Sequence, residues 1–520
     1  MLVGVNVCAR GRAAARADVA PPFAPPRRSL VALARALAAW LSFALLAAGA
    51  LQAAANEKNP PQPASLAERL DAVLARPALR GAALSVLVVD RRSGQLLYAR
   101  APDRVLIPAS NLKVLTAVAA LRWFGPTHRF TTSVLAPDGL GPEGSVGWLA
   151  VRGGGDPGLT SEQWWRLAAD LRARGLRRVQ GDLIVDESVF DAEHWRADWS
   201  PLTARAYHAP VAGLSANYGA FRVVVEPGPE PGAPLEVRVD PPLSYFQVVA
   251  EGATGGPDAL RRVRVERASR PSGDRIRVTG TLPVGGEPVE LYRSVSHPAR
   301  YAGAVWRMQL EALGIAVEGE VRPGRIPAGA TPLLSFEGRD LATLTRLFLK
   351  NSNNMMAEML VKAMARAPDE AADAGPPGTW SAGLQRMHQM LEQLGIASGA
   401  LVLADGSGLS RDNRVTARQL VAALRVADAS FDFGPELLAA LPIAAADGTL
   451  ERRADGAAGG VRAKTGLLSG VTGLSGFAHS QGREMVFSAL ANAYAGDDRA
   501  AMDALDAFAA ALVAGPASGP

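Results

Sequence analysis

In this 520-residue chain the placement of lysine invites a chemical reading. Five lysines, Lys58, Lys113, Lys350, Lys362 and Lys464, stand against 50 arginines. Arginine stays protonated, whereas burial or a neighbouring cation turns a lysine into a neutral base. Lys113 closes the run Ser110-Asn111-Leu112-Lys113 at the start of an apolar-periodic segment. On a helix, i, i+3 spacing sets the two side chains one turn apart on one face. A desolvated Lys113 could then take the proton of Ser110 Oγ, a nucleophile-plus-base pair. A helix N-terminus also favours developing negative charge. A capping serine beside a solvated lysine explains these four residues equally well, because one such Ser-x-x-Lys arises about 0.3 times by chance.

Lys464-Thr465-Gly466 is the sharper signal, since composition yields such a triplet only roughly 0.02 times. On a strand, Gly466 permits close backbone approach. Lys464 by charge and Thr465 by hydroxyl could hold a substrate carboxylate, and the Lys464 charge could lower the pKa of Lys113. Ser352-Asn353-Asn354 separates two helical runs. Ser352 could cap the second run, or relay a proton to a leaving group while Asn354 contacts a substrate amide.

These residues need elements to hold them. Ser65-Leu66-Ala67-Glu68 is a capping box opening a helix to about residue 76. Residues 83–90 and 95–100 read as a hairpin, and 110–124 as a helix stopped by Gly125-Pro126. Glycine and proline become dense from about residue 133. A helix at 161–174 and a strand at 181–186 follow, then strand after strand between 221 and 295. Helical patterns return at 299–313, 341–365 and 381–394. Strands at 460–464, 471–479 and 484–491 precede a closing helix at 498–511. The first hairpin and the last strands can complete one sheet with helices on its faces, leaving the middle as an insertion.

The three motifs in this order match the Ser-x-x-Lys, Ser-x-Asn, Lys-Thr-Gly set of penicillin-binding proteins and serine β-lactamases. The long gap from the first motif to the second resembles the class C low-molecular-mass penicillin-binding proteins, the D-alanyl-D-alanine carboxypeptidase/endopeptidase family. Pro108-Ala109-Ser110-Asn111, Gly154-Gly155-Asp156-Pro157, the run from Asp405 to Arg411 and Asp447-Gly448-Thr449-Leu450 carry the likeness further. The resemblance implies an α/β fold of α+β type: a β-lactamase/transpeptidase-like sheet flanked by helices, with a large β-rich insertion between the first two motifs. It implies an acyl-serine intermediate on Ser110, peptidoglycan stem peptides and cross-links as substrates, and β-lactams as inhibitors. The backbone N–H groups of Ser110 and Leu467 would form the oxyanion hole. Relatives often carry Thr or Ser at the position of Leu467, so a side-chain hydroxyl is lost there while the backbone donor remains. Asp156 and Arg411 match positions near the amino and carboxylate groups of a diaminopimelate side chain. No metal or organic cofactor is implied. A β-lactamase and a non-catalytic wall-binding scaffold are the alternative readings.

The expected organisation is a signal peptide at 1–55, a discontinuous catalytic domain at 56–135 and 330–520, and an inserted region at 136–329. The inserted region reads as two small domains, the β-rich one at about 220–296. Arg27-Arg28, the apolar run 36–48 and Ala53-Ala54-Ala55 read as an export signal cleaved near Ala55, which points to the periplasm. The apolar run is short for a membrane span, although an uncleaved anchor would give weak membrane association. Removing the six arginines and one acid of residues 1–55 from the chain's 55 basic and 50 acidic residues leaves 49 of each. That balance gives no case for nucleic acid. Cys8, the one cysteine, precedes the signal, which excludes disulfides and thiol catalysis downstream. The six histidines (His128, His194, His208, His297, His388, His479) show no metal spacing, and none falls beside a motif. Trp164-Trp165 reads as inserted-region packing, with an exposed member able to touch glycan.

Overall fold

The computed structural model describes residues 65–514 apart from 397–398. The expected signal peptide therefore lies outside the described residues. Among those described, no helix is long and apolar enough to cross a membrane.

Apolar residues alternate along Ala83–Asp90 (β1) so that both faces are buried: Val86 and Val88 point one way, Leu87 and Val89 the other. A strand buried on both sides must sit centrally, and β1 does. It pairs antiparallel with Leu96–Arg100 (β2) on one side. On the other it pairs with a strand about 400 residues later, so the sheet also holds Val461–Leu468 (β3), Val471–Ser480 (β4) and Arg483–Asn492 (β5). The order is β3-β4-β5-β1-β2, and every pairing is antiparallel. One face packs on Leu66–Leu74 (α1) and the terminal helix Asp498–Val513, through Leu70, Leu74, Leu505 and Phe508. Ser65 and Glu68 do form the capping box on α1.

The other face carries the helices. Leu112–Phe124 (α2) is buried at every position from Leu112 to Leu121, the condition of a helix that is apolar all round. It is the axle around which Leu341–Asn351 (α3), Asn354–Met364 (α4), Trp380–Gln393 (α5) and Ala417–Ala429 (α6) gather. The helical stretch 341–365 is two helices divided at Ser352-Asn353, as the sequence pattern has it. Ser352 leaves the helical region with φ +53°, and the Asn353 side chain accepts from Met356 N to cap α4. The capping role considered for Ser352 thus falls to Asn353, which frees the Ser352 hydroxyl.

Between the first and second motifs the chain builds separate sheets over a core of its own. A mixed five-stranded sheet includes Arg129–Ala136, Leu149–Arg152, Leu183–Asp186 and Thr331–Asp340. Helices Ser161–Ala173 and Pro298–Ala312 meet through Trp164 and Trp306, whose ring centroids are 6.1 Å apart. A three-stranded sheet (Glu236–Asp240, Ala220–Glu226, Val289–Ser294) and a four-stranded one built on Gly273–Pro283 form the β-rich part. The strand Arg129–Ala136 pairs with Thr331–Asp340, so this region's first sheet reaches back before residue 136 and on past residue 329.

Candidate active site

Ser110 sits in a 3-10 turn, Ala109–Asn111, that runs into α2, so the α-helix begins at Leu112 rather than at residue 110 as expected. Two glycines let other backbones press on this turn. A Cβ on Gly408 (φ +80°) would lie 1.9 Å from Ala109 O, and one on Gly466 would meet Asn111 Nδ2 at 2.4 Å and Pro108 O at 2.8 Å. Strand β3 and the 405–411 loop can therefore flank the serine only because those positions lack side chains.

Lys113 has no solvent exposure. Its Nζ contacts Ser110 Oγ at 3.0 Å, Asn354 Oδ1 at 2.7 Å and Ser407 O at 2.6 Å. The Asn354 amide is oriented by its own Nδ2, which donates to Tyr207 O at 3.0 Å. Both Asn354 Oδ1 and Ser407 O are acceptors only, so they take two N–H bonds of a neutral lysine and leave its lone pair facing the Ser110 hydroxyl. Burial pulls the Lys113 ammonium down to about 7, opposed by the charges of Asp405 and Glu358. Desolvation, the cause expected from sequence, is thus the largest one. Lys464 is likewise held well below the usual lysine range, by burial first and then by the charges of Lys113 and Arg453.

Lys464 is also fully buried, on β3, where its Nζ donates to Ser352 Oγ at 2.9 Å and to Thr465 O at 2.8 Å. Thr465 donates to Thr449 Oγ1 at 2.8 Å. Lys350, in the last turn of α3, reaches Asp447 at 2.5 Å and Leu441 O at 2.7 Å. That clamp ties the helix that ends at Ser352 to the loop that carries Thr449. Ser110, Ser352, Asn354, Leu467 and Arg411 all line one cleft of about 810 Å³. Three motifs separated by hundreds of residues thus meet around one hydroxyl.

The sequence pattern of the D-Ala-D-Ala carboxypeptidase 3 (S13) family matches residues 66–512. The chain belongs to that family. It is 38% identical over 449 residues to the D-alanyl-D-alanine carboxypeptidase of Actinomadura sp. (strain R39), covering 83% of this chain and 81% of that one. It is 30% identical over 409 residues to D-alanyl-D-alanine carboxypeptidase DacB of Haemophilus influenzae, covering 76% and 82%. The crystal structure of penicillin binding protein 4 from Haemophilus influenzae superposes with a TM-score of 0.70 at 28% identity, over 85% of this chain and 97% of that one. The chain is thus a peptidase-family hydrolase of the D-Ala-D-Ala carboxypeptidase type, on the expected penicillin-binding-protein fold.

In this carboxypeptidase the 405–413 loop is built on two buried acids, Glu358, which sequence reading passed over, and Asp405, to which it gave no role. Glu358, one turn after Asn354 on α4, accepts from Gly406 N, from Ser407 N at 2.7 Å and from Trp380 Nε1 at 2.9 Å. Asp405 accepts from Gly408 N, Ser410 N, Asn413 Nδ2 and Trp199 Nε1. These bonds aim Ser407 O at Lys113. The available signal was an acid within the apolar run Met355–Met359, where nothing but a buried partner set could keep it.

Asp156 does not line the cleft. It is 2% exposed, bonds Gly158 N at 2.7 Å, and is pushed up to about 6 by burial. The acids on the cleft wall are Asp198, paired with Arg196 at 2.9 Å, and Asp498. Arg411 is at the cleft, its guanidinium donating to Ser469 O at 2.6 Å. His208, distant from every motif in sequence, also lines the cleft. Its Nδ1 accepts from Thr203 N at 2.9 Å, a bond that fixes the ring rather than leaving that nitrogen free as a base.

Proposed function

We propose that the protein is a serine-type D-alanyl-D-alanine carboxypeptidase and DD-endopeptidase of peptidoglycan, inhibited by penicillin through acylation of Ser110. The observation that carries this reading is the buried Lys113 Nζ, 3.0 Å from Ser110 Oγ with two carbonyl acceptors on its other sides. Neutral Lys113 takes the Ser110 proton, and Oγ attacks the carbonyl carbon of the penultimate D-Ala. The N–H groups of Ser110 and Leu467 receive the oxyanion. The C–N bond then breaks, the departing amine takes a proton through Ser352, and water hydrolyses the acyl-serine. The substrate carboxylate lies against Lys464 and Thr465. A carboxylate arriving there supplies the counter-charge that burial withholds from Lys464, so binding favours its ammonium form.

A carboxypeptidase and an endopeptidase share this acyl donor, and both activities follow from one site. Asp198 replaces Asp156 as the acid we assign to the amino group of a diaminopimelate side chain, with Arg411 beside its carboxylate. The inserted region reads as a separate unit whose strand pairing sets its ends near Pro126 and Asp340. A wall substrate also implies export, with 1–55 as the signal.

The test is intact-protein mass spectrometry after brief exposure to penicillin, on the wild type and on Ser110→Ala. One stable adduct mapped to Ser110 and absent from the variant is expected. Penicillin consumed with no adduct would point to a β-lactamase, and neither adduct nor consumption would remove the acylating serine altogether.

A further inference from the structure

A second hollow, of about 450 Å³, lies directly behind the wall of the cleft. Two short segments form that wall. In one, Tyr207 faces the cleft and Ala206 the hollow; in the other, Ser352 and Asn354 line the cleft while Asn353 lines the hollow. The two segments are joined by the bond from Asn354 Nδ2 to Tyr207 O. The hollow therefore shares its wall with the residues that hold Lys113.

Its lining is aromatic and polar together. Tyr218 and Tyr292 supply rings, and Tyr292 is 55% exposed. Ser161 and Glu162 open the helix Ser161–Ala173, so Trp165, 48% exposed, lies on the same helix face one turn on. Arg222 stands in the lining with Asp240, paired at 3.0 Å. Tyr218 is delivered by an unusual backbone: Asn217, Tyr218 and Gly219 have φ of +48°, +59° and +63° in succession. A left-handed tyrosine is an outlier that persists only when its surroundings over-determine it. Here Asn217 is pinned by Ser161 N at 2.7 Å and reaches Tyr301 OH at 3.2 Å.

Exposed ring faces beside the amides of Asn217 and Asn353, with Arg222 set against the two acids Glu162 and Asp240, suit a hydroxyl-rich ligand with apolar C–H faces, and suit a lipid or a polyanion poorly. We propose that this hollow is a saccharide subsite, which takes an N-acetylated amino sugar of the glycan strand while the attached stem peptide occupies the cleft. The inference rests on the stem-peptide reading of that cleft. It assigns to the inserted region a role in choosing polymeric wall over free peptide.

The experiment compares a disaccharide-pentapeptide with the same pentapeptide lacking sugar, titrated calorimetrically into the Ser110→Ala protein, which cannot turn either over. The sugar-bearing ligand should bind about tenfold more tightly, an advantage of the size expected from one good aromatic contact. Tyr292→Ala and Arg222→Ala, each added to Ser110→Ala, should shrink that advantage without weakening the bare pentapeptide. With Ser110 intact, each variant should be acylated by penicillin at the wild-type rate, which shows that the fold and cleft are unharmed. Equal affinity for the two ligands, or a sugar advantage that neither substitution touches, would overturn the subsite. Failure of penicillin to acylate the wild type would instead strike the acyl-serine reading, and the two-ligand comparison would still decide the hollow.

Discussion

Lys113, Lys464, Glu358 and Asp405 lie beneath the cleft with no exposure, whereas Arg238, Arg277 and their glutamates lie on open strands of the β-rich region. Both sets are ionisable, and both make short contacts. Around Ser110 each charge ends on several fixed groups: Glu358 takes two backbone N–H donors and an indole, and Lys113 meets two carbonyls and a hydroxyl. On the strands, Arg238 meets Glu226 at 2.7 Å and Arg277 meets Glu251 at 2.5 Å, with both guanidinium groups more than half exposed to solvent. A buried charge is costly unless all its hydrogen bonds are met, so such a network holds one geometry and no other. A surface pair is screened, and its partners can separate at little cost. The lesson is that the site's buried polar groups position atoms, while the surface pairs of the strands leave theirs free to move.

The comparison breaks first at Lys113. Lys113→Arg, which removes the base and fixes a permanent positive charge in its place, should slow penicillin acylation of Ser110 by about 10²–10⁴-fold. Stopped-flow or quenched mass spectrometry reads this, and an unchanged rate would take Lys113 out of the mechanism. Glu358→Ala leaves the N–H groups of Gly406 and Ser407 and the Trp380 indole without their acceptor. It should cost about 3 kcal/mol in urea unfolding, and a midpoint shift too small to resolve would mean the 405–413 loop is held by Asp405 alone. The pH profile sharpens the same point. With Lys113 lowered to about 7, the ammonium form prevails below that pH and has no lone pair to offer. Acylation should therefore fall about tenfold per unit as pH drops below 7 and level off above it. A flat profile from pH 5 to 8 would contradict a titrating Lys113. Arg238→Ala is the smallest change: neither the unfolding midpoint nor the acylation rate should move. A clear loss from it would show that the strands' surface pairs act as a network.

Much of this was legible because the signals were local. The hairpin, the closing strands and the helix after Ser110 follow from alternation, periodicity and stop residues, each a property of a few neighbours. Scarcity made lysine informative, and the structure extends that logic to two lysines that were not followed. Lys350 clamps Asp447 beside the second motif, and Lys362 is buried on Asp191 beneath the Trp380 ring. Other features depended on contacts between distant segments. The burial of Asp156 away from the cleft and the arrival of Asp198 and His208 on its wall needed the path of the inserted region, which no local pattern encodes.

The sequence by itself determined which groups could do the chemistry, because a hydroxyl, a lysine that burial can neutralise and a glycine that admits a neighbouring backbone are properties of residue type and spacing. Only the tertiary structure decided what makes Lys113 a base. That depends on desolvation and on two carbonyl acceptors, from Asn354 and Ser407, which lie more than 200 residues away along the chain. Burial and the direction of a lone pair are properties of packed space, and they exist only once those segments have closed around the lysine.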